Sequence, residues 1–303
     1  MKAYLFLLLT VVLFSGNILV GRAINELPPV TITFIRCFIA FLVLLPLGFG
    51  AVKRNPGLYR REWKALMGLA ITGVAFFNLL IYSALQFTTS TNVAIVETAI
   101  PVFTIMLGII ILKEKLAKVQ WFGVSISLFG AIWVITEGSL TVIASLDFNI
   151  GNLIAMGAVL IWSVYSILVK QHLWKFPVYG GVTVMTGIAV VILFPIVLIE
   201  WVATGGIPEI YDKNLIGGLV YLGIFPSVIA LISWNKGVSE LGPSKASVFL
   251  NFLPVFTMAG AVLFLNETVT SHQLLGASLV ICGVYLSTRK GRNPLAGKNI
   301  QVR

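Results

Sequence analysis

The chain has 303 residues, 58% of them hydrophobic and 11% charged, with a formal net charge of +10. An ordinary soluble domain carries about 25% charged residues, whereas the apolar residues here form unbroken blocks such as Tyr4–Leu13, Ile100–Leu112 and Ile216–Ile232. Helices that are apolar on all sides are buried in lipid or in a large core, so composition points to one membrane domain; the basic residues sit in short loops between the blocks, which argues against nucleic acid as the reason for the positive charge.

A span needs about 20 mostly apolar residues, and ten such segments follow in chain order. They are expected near Tyr4–Ala23, Thr31–Phe49, Ala65–Leu85, Val93–Leu112, Val119–Thr136, Asn152–Val169, Val178–Trp201, Leu215–Asn235, Ala246–Leu265 and Gln273–Thr288. The first opens like a signal peptide, but no small-x-small site closes it and the apolar run continues to Val20, so an uncleaved span is expected. Pro28-Pro29, Asn55-Pro56-Gly57, Gly205-Gly206-Ile207-Pro208 and Gly242-Pro243 punctuate the loops. Backbone polar groups in lipid must be bonded within the segment, which favours helices; long unbroken runs exclude the alternating ten-residue segments of a β-barrel. Cys37 and Cys282 both fall inside spans and read as small buried residues, neither a disulfide nor a metal site.

Lysine and arginine set orientation. One set of loops and ends holds 18 of the 21, and the opposite loops hold only Arg22 and Lys213. Both termini are therefore expected in the cytoplasm, with 291–303 a basic cytoplasmic tail.

Pro101-Val102-Phe103-Thr104 recurs as Pro254-Val255-Phe256-Thr257, and at that offset ten of the thirty positions from 101 to 130 match, including Glu114 with Glu267 and Gly123 with Gly276. A weaker match at an offset of 148 aligns Ser15 with Ser163 and Arg22 with Lys170. Five helices is an odd number, so the second half enters the membrane from the opposite side. The expected fold is all-α: a polytopic membrane protein of ten transmembrane helices in two inverted five-helix repeats, 1–140 and 148–290. Inverted repeats are common in secondary transporters and place the substrate site near the midplane.

The proline-centred fourth and ninth helices, each ending in glutamate and followed by Gln-x-x-Gly, resemble the EamA-like family of the drug/metabolite transporter superfamily. Phe14-Ser15-Gly16-Asn17 and Arg36 are similar to that family's first-half pattern, with Phe14 where the family often has Trp and Trp162 keeping that residue in the second half. The resemblance implies a ten-helix carrier, often an exporter of amino acids, metabolites or drugs, and leaves the substrate open.

Arg36 and Glu97 are charged positions inside spans, each costing roughly 2.5–3.5 kcal/mol at a helix centre. Glu97 is either a proton-binding carboxylate or substrate ligand, or one half of a structural ion pair with Arg36. Pro101 and Pro254, mid-helix, free a backbone carbonyl and read as hinges or as tolerated kinks. Asn17, Asn78, Tyr82, Trp162, Tyr165 and Asn251 are polar or amphipathic residues inside spans; they orient a substrate in a cavity or join helices by hydrogen bonds. Glu114 and Glu267 read as structural, their carboxylates opposing a helix C-terminus unless another helix N-terminus compensates.

No phosphate loop, CxxC or HExxH occurs, so no catalytic residue, cofactor or metal is expected and the chain is not expected to be an enzyme. The expected function is a secondary transporter in the cell membrane, an exporter of small organic molecules, driven by protons or by the substrate gradient. A membrane sensor or scaffold, or a membrane-embedded enzyme, are the alternatives; the first has no need of two equivalent gates, and the second needs a catalytic cluster the sequence lacks.

Overall fold

The computed structural model describes residues 2–113, 118–135, 138–139, 149–208 and 210–288. Among the described residues every regular element is helical. Eight helices are long and apolar enough to cross a membrane: α1 (Lys2–Ala23), α2 (Pro29–Arg54), α3 (Trp63–Leu85), α4 (Ser90–Leu112), α6 (Ile150–Lys175), α7 (Val178–Ala203), α8 (Lys213–Leu241) and α9 (Pro243–Leu265). Two further helices of 18 residues each, α5 (Lys118–Ile135) and α10 (Ser271–Thr288), are present among the described residues.

Several helices start and stop on residues that physical chemistry favours there. Pro29 and Pro243 open α2 and α9, positions where a missing N–H costs nothing. The side chains of Thr89, Asn149 and Asp212 accept from the backbone N–H groups of Asn92, Gly151 and Asn214. The helices run further than the apolar segments, so Lys170 and Lys236 lie within α6 and α8. Lys170 Nζ donates to the Ser239 carbonyl at 3.0 Å, and Lys236 Nζ stands 5.0 Å from the centroid of the Phe6 ring.

Interruptions recur at corresponding places. In α4 the regular helix stops at Glu97 and resumes at Ile100, just ahead of Pro101. In α9 a 3₁₀ stretch, Val248–Phe252, precedes Pro254. Proline cannot donate to the carbonyl four residues back and crowds it, so the breaks follow from the sequence. Thr98 Oγ1 donates to the Ile95 carbonyl, and Asn251 Nδ2 donates to that of Val248 at 2.8 Å. Both helices end on a left-handed residue, Lys113 (φ 55°) and Asn266 (φ 54°). α3 and α8 each contain a π-helical stretch, Ala70–Phe76 and Phe225–Ala230.

Packing crosses the chain's midpoint. α6 lies against α3 and α4, and α1 lies against α8 and α9. α2 pairs with α7, and α5 with α10. At the α5–α10 contact a β-carbon on Gly130 would stand 2.9 Å from the Gly276 carbonyl oxygen, so only glycine permits this approach. Glu267, at the end of α9, accepts from the N–H and Oγ of Ser90 (3.0 and 2.8 Å) and the N–H and Oγ1 of Thr91 (3.3 and 3.0 Å). The N-terminus of α4 thereby supplies the compensation expected for this carboxylate. Glu114 lies outside the described residues. Between α2 and α3, the Lys175 ammonium hydrogen-bonds Glu62 at 2.7 Å and holds that carboxyl below the usual carboxylate range.

Candidate functional site

The polar groups buried among α1, α2, α3 and α8 converge on Arg36, which is 3% exposed. Its Nη1 donates to Asn17 Oδ1 (2.9 Å), Asn78 Oδ1 (2.6 Å) and Tyr82 Oη. Its Nε and Nη2 donate to Ser227 Oγ at 2.9 and 2.6 Å. Tyr82 Oη donates onward to Asn17 Oδ1 at 2.8 Å, and its ring centroid lies 5.5 Å from the guanidinium carbon. The two π-helical stretches shape this pocket. Gly73 and Val74 from one and Pro226 and Ser227 from the other line it. Such stretches often mark functional sites. Ser227 Oγ also donates to the Leu222 carbonyl at 2.6 Å, five residues back, in the register a π turn opens.

Opposite Arg36 stands an aromatic wall. Trp162, almost fully buried, packs edge-on to Phe14 with ring centroids 5.4 Å apart and tilts against Phe77 at 4.4 Å. Tyr165 and Trp234 lie 4.9 and 5.5 Å from it. Phe14 and Trp162, which correspond in the two halves of the sequence, thus meet face to edge across the pocket. Tyr165 Oη donates to Asn235 Oδ1 at 2.7 Å, and its ring packs where Gly73 leaves room. The void between the wall and Arg36 is ≈ 20 Å³, room for about one water; the pocket is closed.

The ion pair between Arg36 and Glu97 is not formed. Among the described residues neither has an oppositely charged partner within 4.0 Å. The guanidinium is turned toward α1, α3 and α8 and hydrogen-bonded there to neutral acceptors, whereas Glu97 is buried at the break in α4 and does not line the pocket. Asn251 sits at the corresponding break in α9 and also lies outside the pocket.

With this geometry established, comparison with known proteins places the chain. The model of the EamA-like transporter family matches residues 1–136 and 149–289. The chain belongs to the EamA-like transporter family. An uncharacterized transporter of Archaeoglobus fulgidus is 27% identical over 293 residues, 95% of this chain and 98% of that protein. The uncharacterized transporter YyaM of Bacillus subtilis is 31% identical over 237 residues, 78% of this chain and 76% of the relative. A solved crystal structure aligns with a TM-score of 0.67 at 19% identity, covering 94% of this chain and 95% of the other, a likeness of fold alone.

In this EamA-like chain, five sequence candidates come together: Asn17, Arg36, Asn78 and Tyr82 in the polar cluster and Trp162 on the facing wall. Tyr165 backs the wall. Pro101 and Pro254 mark the helix breaks. Ser227, Phe77, Trp234 and Asn235 were not legible as site residues. Pro226 inside an apolar run carried the one available signal of irregular backbone beside Ser227.

Proposed function

We propose that this transporter is a secondary exporter of small organic metabolites or drugs in the cell membrane, working by alternating access through the Arg36 pocket. The observation that carries the reading is the closed pocket, built jointly by α1, α2 and α3 of the first half and α6, α7 and α8 of the second. A permanent cation and four polar partners buried there are costly to assemble, and intramembrane ionisable residues mark substrate pathways by default.

Counting α5 and α10 as spans gives ten, with 1–140 and 148–290 as two inverted repeats and both termini cytoplasmic. The matched left-handed caps at Lys113 and Asn266, the matched breaks before Pro101 and Pro254 and the reciprocal packing of α1 and α6 support that reading. Two equivalent halves let one gate open as the other closes at similar energy. Pro101 and Pro254 are the hinges in this scheme. Glu97, buried without a cationic partner among the described residues, is the proton-coupling carboxylate.

The experiment is overexpression followed by profiling of excreted metabolites and of resistance to toxic analogues. Excretion of a small organic compound, raised several-fold, is expected. An unchanged profile with the protein correctly inserted would point instead to a sensor or scaffold.

A further inference from the structure

The charge balance of the pocket narrows the substrate. Arg36 is a permanent cation, and every partner of its guanidinium is neutral: two amide oxygens, a phenol and a serine hydroxyl. Removing one charge from water costs several kcal/mol, and proteins ordinarily return this through an opposite charge. Within 4.0 Å of Arg36 no carboxylate stands among the described residues. The unsatisfied polar atoms around the pocket extend the pattern. Trp162 Nε1, on the pocket wall and 1% exposed, has no acceptor, and neither have Trp234 Nε1 and Asn235 Nδ2 behind it. All three are donors, and burying a donor without an acceptor costs about 1–3 kcal/mol. The pocket therefore holds one unpaired indole donor on its wall, with two more unpaired donors behind that wall, and a positive charge with no carboxylate within 4.0 Å among the described residues.

We infer that the transported substrate carries a single negative charge on a carboxylate that docks on Arg36, with an apolar or aromatic body against Phe14, Phe77 and Trp162. This rests on the Arg36 pocket being the transport site. The planar guanidinium fork matches a carboxylate edge-on, and on docking the carboxylate displaces one or more of the neutral acceptors. One cation balances one charge, which favours a monocarboxylate over a phosphate monoester, whose second charge would be left uncompensated. The ring faces opposite suit a flat apolar body, and organic cations are disfavoured by repulsion from Arg36.

The test uses purified full-length protein and three pairs of probes: benzoate, 3-phenylpropionate and hexanoate, each against its primary amide. Binding is read by the shift in melting temperature and by tryptophan fluorescence. The carboxylates are expected to raise the melting temperature and to bind at least tenfold more tightly than the amides, the aromatic ones most tightly. Arg36→Gln should abolish the difference. If that variant does not fold, the comparison within the wild-type protein still decides. Equal binding of acid and amide, binding of neither, or tighter binding of phenyl phosphate than of benzoate overturns the inference. An export profile of neutral or cationic compounds also overturns it while leaving the transport reading intact; carboxylate binding without any export overturns the transport reading, and with it the claim that the bound carboxylate is a transported substrate.

Discussion

The hydroxyl of Ser15 lies 3.4 Å from the carbonyl oxygen of Leu253, the residue before Pro254. The converse contact exists as well: Ser163 Oγ lies 3.3 Å from the carbonyl of Ile100, the residue before Pro101. Each serine also donates within its own helix, to Val11 at 3.0 Å and Val159 at 2.8 Å, so the long contacts are shared and weak, worth less than the about 1 kcal/mol of an ordinary hydrogen bond. Their value is positional. α1 touches α9, and α6 touches α4, at the point where each partner helix is broken.

The breaks themselves can be tested. Pro101→Ala or Pro254→Ala restores an N–H that can bond the carbonyl four residues back and straighten the helix. Each is expected to leave the protein level unchanged or raised and to slow transport about three- to tenfold, measured as initial rates in vesicles. Full transport by the double variant would show that the kinks are merely tolerated.

Glu267 should be structural. Its carboxylate receives four hydrogen bonds at the N-terminus of α4, where a helix favours negative charge. Glu267→Ala is expected to destabilise the detergent-solubilised protein by about 2 kcal/mol, from lost capping and charge-assisted bonds, and Glu267→Gln by less. A thermal unfolding series checks both. Unchanged stability in Glu267→Ala would mean that water replaces the cap freely.

For Glu97 the expectation concerns coupling. Glu97→Gln keeps size and hydrogen bonding but removes titration. The variant should insert and fold normally, and transport through it should lose its dependence on pH. An unchanged pH profile would remove Glu97 from the coupling step. Because Arg36 is not its partner in the structure, Arg36→Gln is not expected to rescue any defect.

Topology follows from the lysine and arginine bias. Reporter fusions after Lys64 and Lys118 should report the cytoplasm, and fusions near Gly206 the outside. A fusion near Gly206 that reports the cytoplasm would contradict ten spans.

Much of this was legible in the sequence, for physical reasons that can be named. Apolar runs fix where helices lie, since lipid demands them, and the helix ends were missed by several residues because Lys170, Lys236 and their neighbours extend helices past the apolar core. Buried amides and aromatics such as Asn17, Asn78 and Trp162 stood out because a polar atom in an apolar run needs a reason. Which of them meet was not legible. The sequence allowed Arg36 and Glu97 to pair, yet side-chain direction sends the arginine toward Ser227 in α8, a residue whose small hydroxyl looks like ordinary helix packing until the π stretch around it is seen. Thr98 and Asn251 sit at the two helix breaks, each side chain bonding the carbonyl three residues back.

Cys37 offers the most direct test of alternating access, because it lines the pocket beside Arg36 and is buried in this closed form. In a Cys282→Ser background, which removes the exposed thiol on α10, a small membrane-impermeant thiol reagent is applied to right-side-out and to inside-out vesicles. The account predicts that Cys37 reacts from both sides, since the pocket opens to each in turn. Reaction from one side only, or from neither, would contradict it.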